Sequence, residues 1–398
     1  MKNFIFWRII NHIHHANHLQ RGLYLGFKIN HSMATTTIKI VTDYLESLAP
    51  RSFQEDYDNS GLLTGNASAE VKGILLTLDC TEEIVDEAIE TNCNLIVAHH
   101  PIIFRGLKKL TGQNYIERTI IKAIKNDIAI YAIHTNLDNV HTGVNRKIGE
   151  QIGLKNLKIL KPRKDTLNKL VTFIPKENAQ TVMDALHQAG AGNIGDYKNC
   201  SFQMLGEGTF LPTANAQPHI GQLNQLERVN EIRAEVIFAE HLSNKILNTL
   251  KEAHPYEEVA YYLSKLENEN QEVGSGMIGE LEKEVEPIEF LNGLKIKMNA
   301  KMVRHTKPVK AIKKVAVCGG SGSFLLQTAI AQNADVFVSA DFKYHEFFDA
   351  DNKIMIADIG HYESEQFTKD LLSDKLKEKF TTFAITFSKK ATNPISYL

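Results

Sequence analysis

"LIVAHHPIIF", residues 95–104, decides how the chain is read. An apolar, strand-like run from Leu95 to Ala98 delivers two adjacent imidazoles, His99 and His100, and then Pro101. One reading makes one of the pair a satisfied core histidine and the other a surface residue. The other reading is a metal site, which needs neutral imidazoles held at fixed positions. The surroundings must choose between them.

Working outward, the same rhythm repeats. "VKGILLTLD" (71–79) reads as a buried strand, "TEEIVDEAIETN" (81–92) as a helix capped by Thr81, and "NYIERTIIKAIKND" (114–127) as another helix. "IAIYAIHTNLD" (128–138) is a strand and "GVNRKIGEQIG" (143–153) a helix. Upstream, Ile38, Val41, Tyr44, Leu45 and Leu48 recur at helical spacing. Near-continuous apolar strands alternating with helices predict a parallel sheet covered on both faces. The pattern returns in "KKVAVCGG" (313–320), "DVFVSADF" (335–342), "IMIADIG" (354–360) and "TTFAITF" (381–387). Helices are expected between them, "HYESEQFTKDLLSDKLKEKF" (361–380) as one long helix.

The middle differs. Strand "NKLVTFIP", helix "AQTVMDALHQAG", strands "NCSFQMLGEGTF" and "RVNEIRAEVIFA", helix "LSNKILNTLKEA" and strand "EEVAYYLSKL" follow one another. That order is βαββαβ, the ferredoxin-like plan. The fold class is therefore α/β: two βαβ-type halves (33–164 and 273–398) forming one core, with a ferredoxin-like α+β domain inserted at 165–272.

Composition narrows the function classes. The chain has 398 residues, a formal net charge of -2 and 23% charged residues. Nothing in that balance calls for nucleic acid or an anionic membrane surface. No run of eighteen apolar residues is present, so no transmembrane helix is expected. The four cysteines, Cys80, Cys93, Cys200 and Cys318, form no C-x-x-C pair. They fit a reducing, cytoplasmic compartment and argue against a thiolate zinc site. Residues 1–32 carry four basic residues, no acid and five of the sixteen histidines. A targeting segment, a metal-binding tract and an unused upstream start compete there. The natural-looking beginning at Met33, "MATTTIKIVTDYLESL", favours the last.

Ligands in parallel α/β sheets gather beyond the carboxyl ends of the strands. His99 and His100 end one strand. In the next, "AIHTNLDN", His134, Asn136 and Asp138 share one face if the chain stays extended. In "IADIGHYESEQF", His361 begins a helix and Glu365 follows one turn later on the same face. Taken singly, Asp138 reads as a turn residue or cap and His361 with Glu365 as a surface pair. Together, three strand ends offer five N/O ligands, enough for two hydrated divalent ions if one carboxylate bridges. "GSGMIG" (274–279) matches a dinucleotide fingerprint in form only, because it does not join a strand to a helix of one βαβ unit. "CGGSGSF" (318–324) does follow a strand; its amides either face an anion or make a plain tight turn.

These motifs in order, "EDYDNSGLLTG", "VAHHPIIFRGLKKLTG", "IHTNLDNVHTGVN", "GSGMIGEL", "VAVCGGSGS", "SADFKYHEFFDA" and "DIGHYESE", resemble the dinuclear metal-centre hexameric family. Its members, NGG-interacting-factor-like, include GTP cyclohydrolase 1 type 2 homologues. The middle region resembles the CutA- or PII-like insert of the longer bacterial forms. The resemblance implies two divalent cations per chain: zinc, manganese, iron, cobalt or nickel. His100, Asp138 and Glu365 would hold one; His99, His361 and Glu365 would hold the other. His134 and His345 would assist nearby. It also implies a toroidal homohexamer acting on an unidentified small molecule. Two functions follow as expectations. One is metal-dependent hydrolysis of a nucleotide or related phosphate-containing compound by a metal-bound hydroxide. The alternative is a non-catalytic metal-handling or ligand-sensing regulatory hexamer.

Overall fold

The computed structural model describes residues 35–398. The reading of residues 1–32 as a leader lies outside the described residues. Helix α1 (Ile38–Leu48) opens them, its first turn capped by the Thr37 hydroxyl, which accepts the Ile40 N–H. Strands β1 (Gly61–Thr64) and β2 (Gly73–Thr77) precede helix α2 (Glu82–Glu90), strand β3 (Leu95–Ala98), helix α3 (Tyr115–Lys125) and strand β4 (Ala129–Ala132). A single helical turn, α4 (Thr135–Asp138), leads to α5 (Val144–Ile152) and β5 (Lys155–Arg163).

Next come β6 (Leu167–Pro175), α6 (Ala179–Ala189), β7 (Phe202–Phe210), β8 (Glu227–Ala239), α7 (Ser243–Ala253) and β9 (Tyr261–Leu266). The chain continues through β10 (Asn270–Val285), α8 (Pro287–Lys297), β11 (Arg304–His305), β12 (Ile312–Ser321) and α9 (Leu326–Ala331). It ends with β13 (Val336–Ala340), β14 (Met355–Asp358), α10 (His361–Glu365), α11 (Thr368–Lys379) and β15 (Ala384–Phe387). No helix among the described residues is long and apolar enough to cross a membrane.

The core strands form two sheets rather than one. The first runs β1-β4-β3-β2-β15, and the second β11-β14-β13-β12-β10-β5. Within them β15, β2, β3 and β4 are parallel, as are β12, β13 and β14, while the edge strands β1, β11 and β5 pair antiparallel. The last strand does not stay with its own half: Ile385 pairs with Ile74, so the C-terminus completes the first sheet. The period of two in side-chain direction builds three apolar layers from these strands. Leu76, Val97, Tyr131, Val317, Val338 and Met355 meet in one core shared by both sheets. Leu75, Ile96 and Ile130 face outward under α2 and α3, while Ala316, Phe337 and Ile356 face outward under α9. Each fully buried Leu or Ile contributes about 1.5–3 kcal/mol of transfer free energy, which is why uniformly apolar strands need two covered faces.

The 274–279 glycines belong to β10, which lies between β12 and β5. A Cβ at Gly274 would come within 2.3 Å of the Lys161 carbonyl oxygen. Close strand approach explains the glycine there, and no nucleotide is required. The middle segment forms its own antiparallel sheet, β7-β8-β6-β9, with α6 and α7 packed on one face around Leu170, Val182, Phe238 and Leu250. The expected single helix over 361–380 is broken: α10 ends at Glu365 and α11 restarts at Thr368.

Candidate metal centre

Strand β3 is buried along its whole length and ends one residue before His99. The backbone stays in ladder register for two more residues, His99 N–H donating to Thr77 O and His100 N–H to Leu78 O. The two rings are thereby fixed with centroids 4.9 Å apart. His99 is completely buried.

After β4 the chain does not stay extended. Leu137 and Asp138 N–H both donate to His134 O, closing the turn α4. Asn136 causes this: its side chain accepts from the His134 N–H and the Ser60 hydroxyl and donates to Ala49 O, away from the cluster. His134 and Asp138 still share a face, but by helical i, i+4 spacing rather than by strand alternation. On the other half, Gly360 takes φ +92° and α10 starts at His361, so His361 Nε2 and Glu365 Oε2 stand 3.2 Å apart. Gly320, at φ +57°, lets Glu365 in: a Cβ there would lie 2.5 Å from Glu365 Oε1.

The five predicted ligand candidates converge. Donor atoms of His100, His361 and Glu365 lie within 4.8 Å of one another, as do those of His99, Asp138 and Glu365. Glu365 is common to both groups. These groups differ from the allocation the resemblance implies, which pairs His100 with Asp138 and His99 with His361. Successive side chains off a strand end point to opposite sides, so His99 turns toward α4 and His100 toward α10. His134 joins as well, its ring 5.3 Å from those of both His99 and His100. His345 does not: it lies exposed on a 3-10 turn (Tyr344–Ala350), against Tyr344 and Phe348. That turn carries it to the outer surface.

Each imidazole is held from behind. Asp79 holds His100 Nδ1 at 2.8 Å, Asp341 holds His361 Nδ1 at 2.7 Å, and Asp58 holds His134 Nδ1 at 2.8 Å. The Ile133 carbonyl oxygen holds His99 Nδ1 at 2.8 Å. A carbonyl oxygen only accepts, so His99 carries a proton on Nδ1 and turns Nε2 toward the cluster. That nitrogen and Asp138 Oδ1 are both buried without a hydrogen-bond partner, 3.6 Å apart. Outward N–H groups tied to carboxylates or carbonyls, with inward lone pairs, make the pattern of metal-binding histidines. The donor set, imidazole and carboxylate, suits borderline divalent ions. Sequence reading missed the three outer carboxylates. Asp79 and Asp341 also sit just past parallel strands, so the strand-end rule applied to every strand would have found them.

Without a cation, protons take its place. Burial opposes protonation of His100 and His361, but Asp79, Asp341 and Glu365 outweigh it, pushing His100 up to about 9 and His361 up to about 11. Burial also opposes ionisation of Glu365, yet hydrogen bonds from His100 and His361 hold it well below the usual carboxylate range. Asp138 lacks such donors, and burial raises it to about 6. The cluster opens into a cleft of about 470 Å³, with Tyr57, Phe104 and Phe324 exposed around it. The Gly319 and Gly320 amides do not face an anion: they donate to Asn145 Oδ1 and Ser364 Oγ.

A GTP cyclohydrolase 1 type 2 homolog of Bacillus subtilis is 37% identical over 365 residues, covering 90% of this chain and 98% of that protein. One from Halalkalibacterium halodurans is 38% identical over 364 residues, with 90% and 98% covered. The crystal structure of a Bacillus cereus protein related to NIF3 superposes with a TM-score of 0.81 at 37% identity, covering 92% of this chain and all of that one. A Staphylococcus aureus protein gives a TM-score of 0.73 at 31% identity, covering 92% and 99%. The sequence model of the Duf34/NIF3 (NGG1p interacting factor 3) family matches residues 36–394, and this chain belongs to that family.

Proposed function

We propose that the cluster holds two divalent cations and that the protein is a metal-dependent hydrolase of a nucleotide or related phosphate-containing small molecule. The observation that carries the metal reading is the buried His99 Nε2 facing Asp138 Oδ1, two polar atoms that both lack a hydrogen-bond partner. An unpaired buried polar atom is costly, and a cation satisfies both. In this reading His99 with Asp138 would hold one ion and His100 with His361 the other, and Glu365 belongs to both groups. When bound, such a pair acidifies water and polarises a phosphoryl or ring oxygen.

The chain's own residues would do the rest. His134 donates Nδ1–H to Asp58, whose carboxyl is pushed far down: burial opposes this, and the hydrogen bond and charge of His134 outweigh it. Its other nitrogen is left to accept or return a proton beside the cluster. Tyr57, Phe104 and Phe324 offer ring faces to a planar base at the cleft. The wider reading is a cytoplasmic homohexamer whose core, 33–164 and 273–398, carries an inserted 165–272 domain.

The rival reading is a non-catalytic metal-handling or ligand-sensing hexamer. It is favoured by the separate four-stranded sheet, which contributes no residue to the cluster. A turnover screen with nucleoside triphosphates on metal-loaded protein decides between them. Metal-dependent turnover lost in Glu365→Gln supports the hydrolase. Turnover unchanged in that variant, or none in the wild type, leaves the rival reading.

A further inference from the structure

A second cavity, about 580 Å³, lies on the four-stranded sheet and shares no lining residue with the metal cleft. On β8, Ala234, Val236 and Phe238 pack under the helices, so Glu231 and Arg233 point to the opposite face and line this cavity. Phe173, Met204 and Tyr262 lie beside them. The connection after β7, with Leu211, Pro218 and Ile220, and the turn at Tyr256 complete the walls.

Glu231 is the anomaly. Only 8% of its surface is exposed, yet no cation approaches it among the described residues. Its one side-chain hydrogen bond is from the Tyr256 hydroxyl to Oε1, 3.0 Å. Arg233 is not its counter-ion, because its guanidinium donates to Glu235 Oε1 at 3.0 and 2.8 Å. A carboxylate this buried is normally paired. Gly208 faces it without a side chain, and a Cβ there would lie 2.0 Å from Oε2. The nearby turn is firmly set: His254 accepts the Tyr256 N–H at Nδ1 and donates Nε2–H to Phe173 O. Glu207, Glu257 and Glu258 also line the cavity, so its charge is negative overall.

The geometry points to a binding site for a small planar organic cation, its N–H donors on Glu231 and its flat face against Tyr256, Phe210 and Phe173. A charge-assisted hydrogen bond to a buried carboxylate and cation–π attraction from the rings are the two sources of affinity. The site is separate from the metal centre and does not depend on the function proposed for it.

Benzamidine is the probe, titrated into the full-length protein by calorimetry, with benzoate as the control of opposite charge. Wild type is expected to bind benzamidine saturably and benzoate not at all. Glu231→Gln is expected to weaken benzamidine binding by about tenfold or more. Gly206→Leu provides an independent test, since Gly206 lines the cavity and a Cβ there has no neighbour within 4 Å. Gly206 is the register partner of Glu231, so a leucine there fills the cavity beside the carboxylate and is expected to block binding. Glu365→Gln, in the metal cleft, is expected to bind like wild type. The proposal is overturned by any of three results: no saturable benzamidine binding, equal binding of benzoate, or wild-type affinity in Gly206→Leu. If Glu231→Gln does not fold, Gly206→Leu and the benzoate control still decide the matter.

Discussion

His361 Nε2 and His100 Nε2 lie 3.3 Å apart, both turned onto Glu365 Oε2. Two ring nitrogens that close hold either protons shared with the carboxylate or a cation between them. The first prediction follows. His100 and His361 stand at about 9 and about 11 when metal-free, so near neutral pH both are protonated and a cation must displace those protons. Metal affinity should rise with pH, and calorimetry in buffers of different ionisation enthalpy should show proton release. Metal-free protein should behave in the opposite sense. Both folded-state values lie above the unfolded imidazole value of about 6.5. Their stabilisation is therefore complete below that pH and is lost as pH rises through about 9 and then about 11. Thermal melts across that range, with and without chelator, check the crossing. Metal uptake independent of pH would refute the competition.

Removal of single ligands should divide the two groups. Asp138→Ala should lose chiefly the ion near His99, and His361→Ala chiefly the ion near His100. Glu365→Ala should weaken both, because its carboxylate belongs to each group. Elemental analysis after purification without chelators reads the stoichiometry. Equal content in all three variants and wild type would sink the site.

The outer carboxylates should tune affinity without forming the site. Asp79→Asn and Asp341→Asn keep the side-chain shape but weaken the hold on His100 and His361. Each should cost about 10–100-fold in metal affinity while leaving the stoichiometry at saturating metal unchanged. Competition titration with a chromogenic chelator measures it. An affinity equal to wild type would show that these rings are fixed by packing alone.

The four-stranded sheet should be removable. Arg163 on β5 and Asn270 on β10 are direct register partners, so the segment's two ends leave the second sheet side by side. A short Gly/Ser linker replacing 165–268 spans that gap while sparing the Asn270 pairing. Metal content should be retained, since no clustered residue lies in the segment, and access of small molecules to the cleft should change. Loss of bound metal on deletion would tie the segment to the core.

The sequence by itself determined much of this molecule. Period-two and helical spacing located most strands and helices, because apolar burial dominates their placement. The rule that sites lie past strand ends selected His99, His100, Asp138, His361 and Glu365, all of which meet in the folded chain. Tertiary structure decided the rest. Asn136 bends the chain after β4 through partners at Ser60 and Ala49, contacts 76 and 87 residues away that no local pattern encodes. The last strand joins the first sheet because Ile385 completes a core with Ile74, a choice made by long-range packing. Asp58 follows no parallel strand, and only the folded chain places it behind the His134 imidazole. A ring's orientation depends on what stands on its far side, and chain folding alone brings those two groups together.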